Sequence, residues 1–276
     1  ENQSSAVNEG LIQNTGNYGA AVYNGSIVEN GVNGIIENTG MNGMYAEGSS
    51  SSAINRGIIG NNGSYGMWVS QGTGENYGTI QNNGSYGMFG EENGRVDNYG
   101  VVQNNGAYGM QVQSGATAVN HPGGIISNGG NYGMNAIATG TIWTTATNNG
   151  LVQNTGDIGM GSSGAYGLIT NIGIIENTGI RGMAAENEST AINEGIVRNN
   201  GMRGMSASSG AYIENKESGS IENIGNAGFF VSGNGSLAIN RGTISNIGIY
   251  GVWAEKGSKA ENYGTIQNNN VYGMIS

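Results

Sequence analysis

One phrase repeated from end to end constrains this chain more than any other feature: Asn-x-Gly-x-Ile/Val-x-Asn-x-Gly-x-x-Gly-Met. One copy reads Asn55, Gly57, Ile59, Asn61, Gly63, Gly66 and Met67. The next reads Asn76, Gly78, Ile80, Asn82, Gly84, Gly87 and Met88. Anchored on the Ile/Val position, copies fall at Ile12, Ile36, Ile59, Ile80, Val102, Ile126, Val152, Ile175, Val197, Ile221, Ile244 and Ile266. A period of about 23 residues predicts a solenoid, in which each unit buries its apolar side chains against its neighbours only.

Glycine decides what kind of coil this is. The chain holds 54 glycines and one proline, Pro122. A helical repeat would lose about 1 kcal/mol at each glycine in a helix interior, so helix pairs are excluded. Around each anchor the pattern has period 2, as in Ala53, Asn55, Gly57, Ile59 and Asn61, and again in Met67 and Val69. That is strand periodicity. The expected fold is all-β: a right-handed parallel β-helix, or β-solenoid, of about twelve coils, continuous over residues 1–276. The expected hand follows from parallel crossovers. At about 4.8 Å per coil the rod would be about 55–60 Å long.

The phrase assigns its residues to ladders. Ile59 and Ile80 at the anchor, with Met67, Met88 and Met110 eight residues on, are expected to stack inward, methionine filling irregular gaps. Ala53, Ala118, Ala146, Ala191, Ala238 and Ala260 complete the core on a third face. Two asparagine ladders are expected to bond amide to carbonyl from coil to coil. One contains Asn61, Asn82, Asn104 and Asn128, together with Asn14 and Asn38; the other contains Asn8, Asn55, Asn76 and Asn98. Asparagine also tolerates the left-handed conformation at corners, with positive φ expected at the glycine two residues on.

Charge and cysteine narrow the functions. The formal net charge is −10 and only 10% of residues are charged, which disfavours nucleic acid and anionic membrane as partners. No cysteine is present, so there is neither a disulfide scaffold nor a thiolate metal site. No apolar run is long enough to span a bilayer as a helix. Polysaccharide-cleaving chemistry needs carboxylates gathered at one place, yet the two aspartates, Asp97 and Asp157, stand coils apart. Glu91 and Glu92 read as a solvated turn, Arg95 and Asp97 as an isolated pair, and His121, beside Pro122, as loop decoration. Neither a catalytic residue, a metal site nor a cofactor is expected.

Recognition is expected where the phrase varies. The position after the methionine should face outward, and it reads Tyr45, Trp68 and Phe89 on successive coils, with Phe230 and Trp253 near the other end. Exposed stacked aromatics suit sugar rings or a protein partner. Two residues before each methionine runs a tyrosine column, Tyr65, Tyr86, Tyr108 and Tyr132, replaced by Arg181 and Arg203 further on; it reads as packing that holds coils in register.

Segments such as Asn76-Tyr77-Gly78-Thr79-Ile80-Gln81-Asn82, followed by Ser85-Tyr86-Gly87-Met88, resemble the passenger repeats of large bacterial autotransporter adhesins, particularly the fusobacterial type. The resemblance covers the whole chain but rests on repeat residues alone. It implies an extracellular, cell-surface shaft, anchored in the outer membrane through regions outside this chain, with a host-cell or bacterial surface glycan or protein as partner. A subunit of a self-assembling fibre is the alternative. Joining the last residue to the first would set Asn8 in phase after Asn262, so a segment or subunit of a longer rod is expected, with neighbouring copies or further coils of the same polypeptide end to end. A polysaccharide-acting enzyme is the third reading.

Overall fold

The computed structural model describes the chain except residues 1–3, 14, 15, 38, 154, 177, 199, 223, 246 and 268. The described residues form three parallel sheets of twelve strands each, with every strand bonded to the strand three before it in the chain. This is a parallel β-solenoid. A representative coil runs through Ser52–Asn55 in the first sheet, Ile58–Gly60 in the second and Tyr65–Ser70 in the third. Each strand is too short to bury both faces. Alternation within it sends one set of side chains inward and the other outward.

Registration follows the phrase letter by letter. Ile59 pairs with Ile80 and Ile80 with Val102 in the second sheet. Met67 pairs with Met88 and Met88 with Met110 in the third. All of these side chains are fully buried, in one core cluster running from Val22 to Val252. A one-residue slip would turn each such row to solvent, so the period-2 pattern fixes the register.

The small-residue face is filled by exchange of volume between each third-sheet strand and the first-sheet strand that follows it. Where Gly74 stands in the first sheet, Val69 and Met67 of the preceding third-sheet strand take its space; a Cβ on Gly74 would lie 2.7 Å from that valine. One coil on, the sizes reverse: Gly90 now faces Val96. Core cross-section stays constant while its composition varies, as close packing requires.

The first asparagine ladder is longer than the spacing predicts. Asn8, Asn30, Asn55, Asn76, Asn98, Asn120, Asn148, Asn171, Asn193, Asn215 and Asn240 each donate from Nδ2 to the Oδ1 of the next, the last to Asn262, at 2.7–2.9 Å. The second Nδ2 hydrogen goes to a carbonyl at the corner: Gly57 for Asn55, Gly100 for Asn98. At Asn30, Asn120 and Asn215 the acceptor is four residues on rather than two, at Gly34, Gly124 and Gly219. Two extra residues bulge outward there and leave the carbonyl in place.

The other corner differs from expectation. Asn61, Asn82 and Asn104 do not stack as an inward ladder; they are exposed and left-handed, with φ of 56°, 54° and 52°. The inward amide is one residue later. Asn62 donates to Asn83 and Asn83 to Asn105, both at 2.9 Å. Asn128 lies in this inward row, accepting from the Asn105 backbone at 2.6 Å. The left-handed residue turns the chain by one position, and sequence spacing alone does not say which of two adjacent asparagines faces in. Asn14 and Asn38 lie outside the described residues. Nor is φ positive at the glycine two residues on: Gly63 and Gly84 are required by proximity, since a Cβ on Gly84 would fall on the carbonyl oxygen of Gly63 one coil below.

Candidate functional site

With the interior given over to stacking, functional chemistry is confined to the outward positions of the three sheets and to the corners between them. The aromatic positions after the methionine do face outward, but they are not a free surface. Tyr45 and Phe89 are only 7% and 5% exposed, and Phe230 only 9%; Trp68 and Trp253 are half-buried. The covering is supplied by the tyrosine column and by the neighbouring rings. Tyr65 stacks on Trp68 at 5.3 Å and Tyr86 tilts against Phe89 at 5.2 Å. Tyr18 stacks on Tyr45 at 5.1 Å. Trp68 Nε1 donates to Glu91 at 3.0 Å. Spacing correctly gives the direction of these side chains, but the reach of a tyrosine one column away is a tertiary property.

The tyrosines themselves form a continuous stack. Centroids are 4.8 Å apart for Tyr65–Tyr86, 5.0 Å for Tyr86–Tyr108 and 5.3 Å for Tyr108–Tyr132, with the first two pairs within 7° of parallel. Burial raises the pKa of Tyr65, Tyr86 and Tyr132 above the ordinary tyrosine value. The rings therefore stay neutral and act as packing.

A second file of rings lies at the corner following the first sheet. It occupies the position just after the ladder asparagine: Arg56, Tyr77, Tyr99 and His121 on successive coils. The Arg56 guanidinium lies 4.7 Å over the Tyr77 ring. Tyr77 stacks on Tyr99 at 4.7 Å, and Tyr99 on His121 at 4.0 Å. Beside it, Asp97 is 3% exposed. Its Oδ2 accepts from Arg95 Nε at 2.6 Å and its Oδ1 from Nη2 at 2.7 Å, and His121 Nε2 lies 2.7 Å from the same Oδ1. His121 is thus no loop decoration, and Arg95 and Asp97 are not an isolated pair. The repeat phrase carries the signal for this file at its second position, one residue after Asn55, Asn76, Asn98 and Asn120. Among the described residues no side chain bonds the second ring nitrogen of His121, and no hydroxyl nucleophile completes a triad. The network binds neighbouring coils together.

Glu91 and Glu92 are each engaged separately. Glu91 accepts from Trp68 and Gln113, Glu92 from Ser70 and Gln71, at 3.0–3.1 Å. Among the described residues no group of three or more His, Asp or Glu side chains could hold a metal ion.

An exposed tryptophan is found elsewhere. Trp143 is 52% exposed beside Ile142, where the chain bulges between the third and first sheets. The ladder step there, Asn120 to Asn148, spans 28 residues, against 21 for Asn55 to Asn76. The widest gap between Ile/Val anchors, Ile126 to Val152, is the sequence signal for that insertion. No protein-family model matches this sequence, and no curated protein matches it.

Proposed function

We propose that this chain is a non-enzymatic shaft of a bacterial cell-surface adhesin, an extracellular passenger segment that holds a binding region away from the cell. One observation carries the reading: the asparagine ladder runs without a break from Asn8 to Asn262, with hydrogen bonds of nearly constant length. The inward asparagine that opens the phrase is thereby used in stacking one coil on the next. Such an architecture transmits length and stiffness, and its coils are interchangeable. The repeat resemblance to autotransporter passengers points the same way, as does the dispersal of carboxylates into separate ion pairs.

Excising one whole coil tests the proposal. Deletion of residues 77–98 from the parent surface protein removes one ladder step and joins Asn76 to Tyr99 in register. On intact cells the protein is expected to remain surface-exposed to added protease and to retain attachment, with a reach shorter by about 4.8 Å per coil removed. Loss of folding on removal of a single in-register coil, or a protein that protease cannot reach on intact cells, would overturn it. Turnover of an acidic polysaccharide by the purified chain would favour an enzyme instead.

A further inference from the structure

The nine lysines and arginines are not treated alike. Among the described residues eight have a carboxylate within ion-pair distance: Arg56, Arg95, Arg181, Arg198, Lys216, Arg241, Lys256 and Lys259. Arg203 has none, in a chain that carries 19 acidic residues. It is not a freely solvated arginine either. Its guanidinium is held 3.6 Å over the ring of Phe230, and Trp253 meets the other side of that ring edge-on at 5.0 Å. The side chain is half-buried, and burial, then the charge of Arg181, lower its pKa against the opposing charge of Glu255.

Arg181 is its register partner in the adjacent coil. Like charges directly opposite on neighbouring strands are destabilising, and nothing in the fold requires arginine there, since the same column elsewhere holds tyrosine, asparagine, isoleucine or alanine. Arg181 gives one terminal nitrogen to Glu186 at 2.9 Å, but its buried Nε has no acceptor. Two adjacent guanidinium groups therefore line one trough on the outer face of the third sheet, Arg203 without an ion-pair partner and Arg181 with only one terminal nitrogen engaged. Ser206, Ser208 and Ser232 line the same trough, together with Glu255, which accepts from Ser232 at 3.2 Å and pairs with Lys256 at 3.5 Å. Its floor is low because the outward column shrinks here to Gly161, Ala184 and Ser206, between the larger Asn135 and Phe230.

We propose that Arg203 and Arg181 form a binding site for the carboxylate of an acidic saccharide. A planar carboxylate matches the fork of an arginine fixed by an aromatic face. It would supply acceptors to both guanidinium groups and relieve their repulsion. Ser208 and Ser232 are register partners one coil step of about 4.8 Å apart, near the length of one pyranose unit, and their hydroxyl groups line the trough toward sugar hydroxyls. An open polar trough of this kind suits a hydrated ligand rather than an apolar one.

The test uses the purified chain and calorimetric titration with trigalacturonate and with 3′-sialyllactose, against their uncharged counterparts trigalactose and lactose, and against sodium sulfate. At least one acidic saccharide is expected to bind, its neutral counterpart much more weakly. Arg203→Gln is expected to weaken binding roughly tenfold or more, and Arg203→Lys to retain only part of it. The melting temperature of Arg203→Gln should change little, since loss of the contact over Phe230 is offset by removal of a like-charge pair; a large fall would mark a structural arginine. Equal binding of acidic and neutral sugars, binding unaffected by Arg203→Gln, binding of sulfate as tight as of saccharide, or no binding of either acid would each overturn the proposal. These measurements do not depend on the shaft reading, which is tested on cells.

Discussion

Asn98 donates its Nδ2 to Oδ1 of Asn120 at 2.8 Å while its own Oδ1 receives Nδ2 of Asn76, also at 2.8 Å. All three side chains are fully buried. Removing the middle amide orphans a donor on one side and an acceptor on the other. Asn98→Ala is therefore expected to cost about 2–5 kcal/mol, the desolvation penalty of two buried polar groups. The same change at Asn262, which is exposed, should cost under about 1 kcal/mol. Urea denaturation of both variants checks the contrast, and amide exchange in the coils of Asn76 and Asn120 should locate the loss.

Gly84→Ala tests close approach rather than backbone freedom. The added methyl would meet the carbonyl oxygen of Gly63 in the coil below, with the carbonyl carbon 2.9 Å away. Backbone cannot move aside as a flexible side chain would. A loss of about 3 kcal/mol is expected, at the upper end for overpacking, whereas Ser85→Ala next to it should stay within about 0.5 kcal/mol. Thermal melts of the two variants separate these outcomes.

Asn42 breaks the tyrosine column and is wholly buried with neither amide atom bonded. It pairs in register with Tyr65 on one side and Tyr18 on the other. Asn42→Leu keeps the volume and deletes two unpaired polar groups, so a gain of about 1–3 kcal/mol is expected. A lower denaturation midpoint than wild type would contradict the structure at this position.

Glu214 predicts an acid limit. Burial alone would raise its pKa, but hydrogen bonds from Lys216, Tyr212 and Arg241 outweigh it and bring the value below the ordinary 4.5. A carboxyl with a lowered folded-state pKa stabilises the fold above the unfolded value, and that contribution disappears as pH falls through the lowered one. Stability should thus hold above about pH 4.5 and decline below it. Glu214→Gln is expected to be less stable at pH 7 and to show a shallower acid decline in melting temperature.

What could be read from the sequence was whatever the repeat enforces by stacking. Ile59, Ile80, Met67, Met88 and Met110 lie where period 2 puts them, because a one-residue slip would expose the whole row. Legibility failed where two neighbouring residues had equal claims. Asn61 and Asn62 share a side chain, and only the left-handed turn at Asn61 decides that Asn62 faces inward. It failed again where coverage depends on another column, as for Phe89 beneath Tyr65 and Tyr86. The Arg56–Tyr77–Tyr99–His121 file was visible as a column but hidden by its variety. Stacking a cation, two phenols and an imidazole obeys no single residue type, only a shared flat face.

The direction of the long asparagine ladder has an electrical consequence. All eleven amide bonds from Asn8 to Asn262 point the same way, with N–H leading toward later coils. Aligned bonds of this kind polarise one another, and aligned amides sum their dipoles along an axis as a helix does. The interior of the rod is therefore a one-way wire of partial charge, positive toward its later coils and negative toward its earlier ones. A coil inserted with its amide reversed would meet donor with donor, so the stack carries an arrow that every added coil must obey.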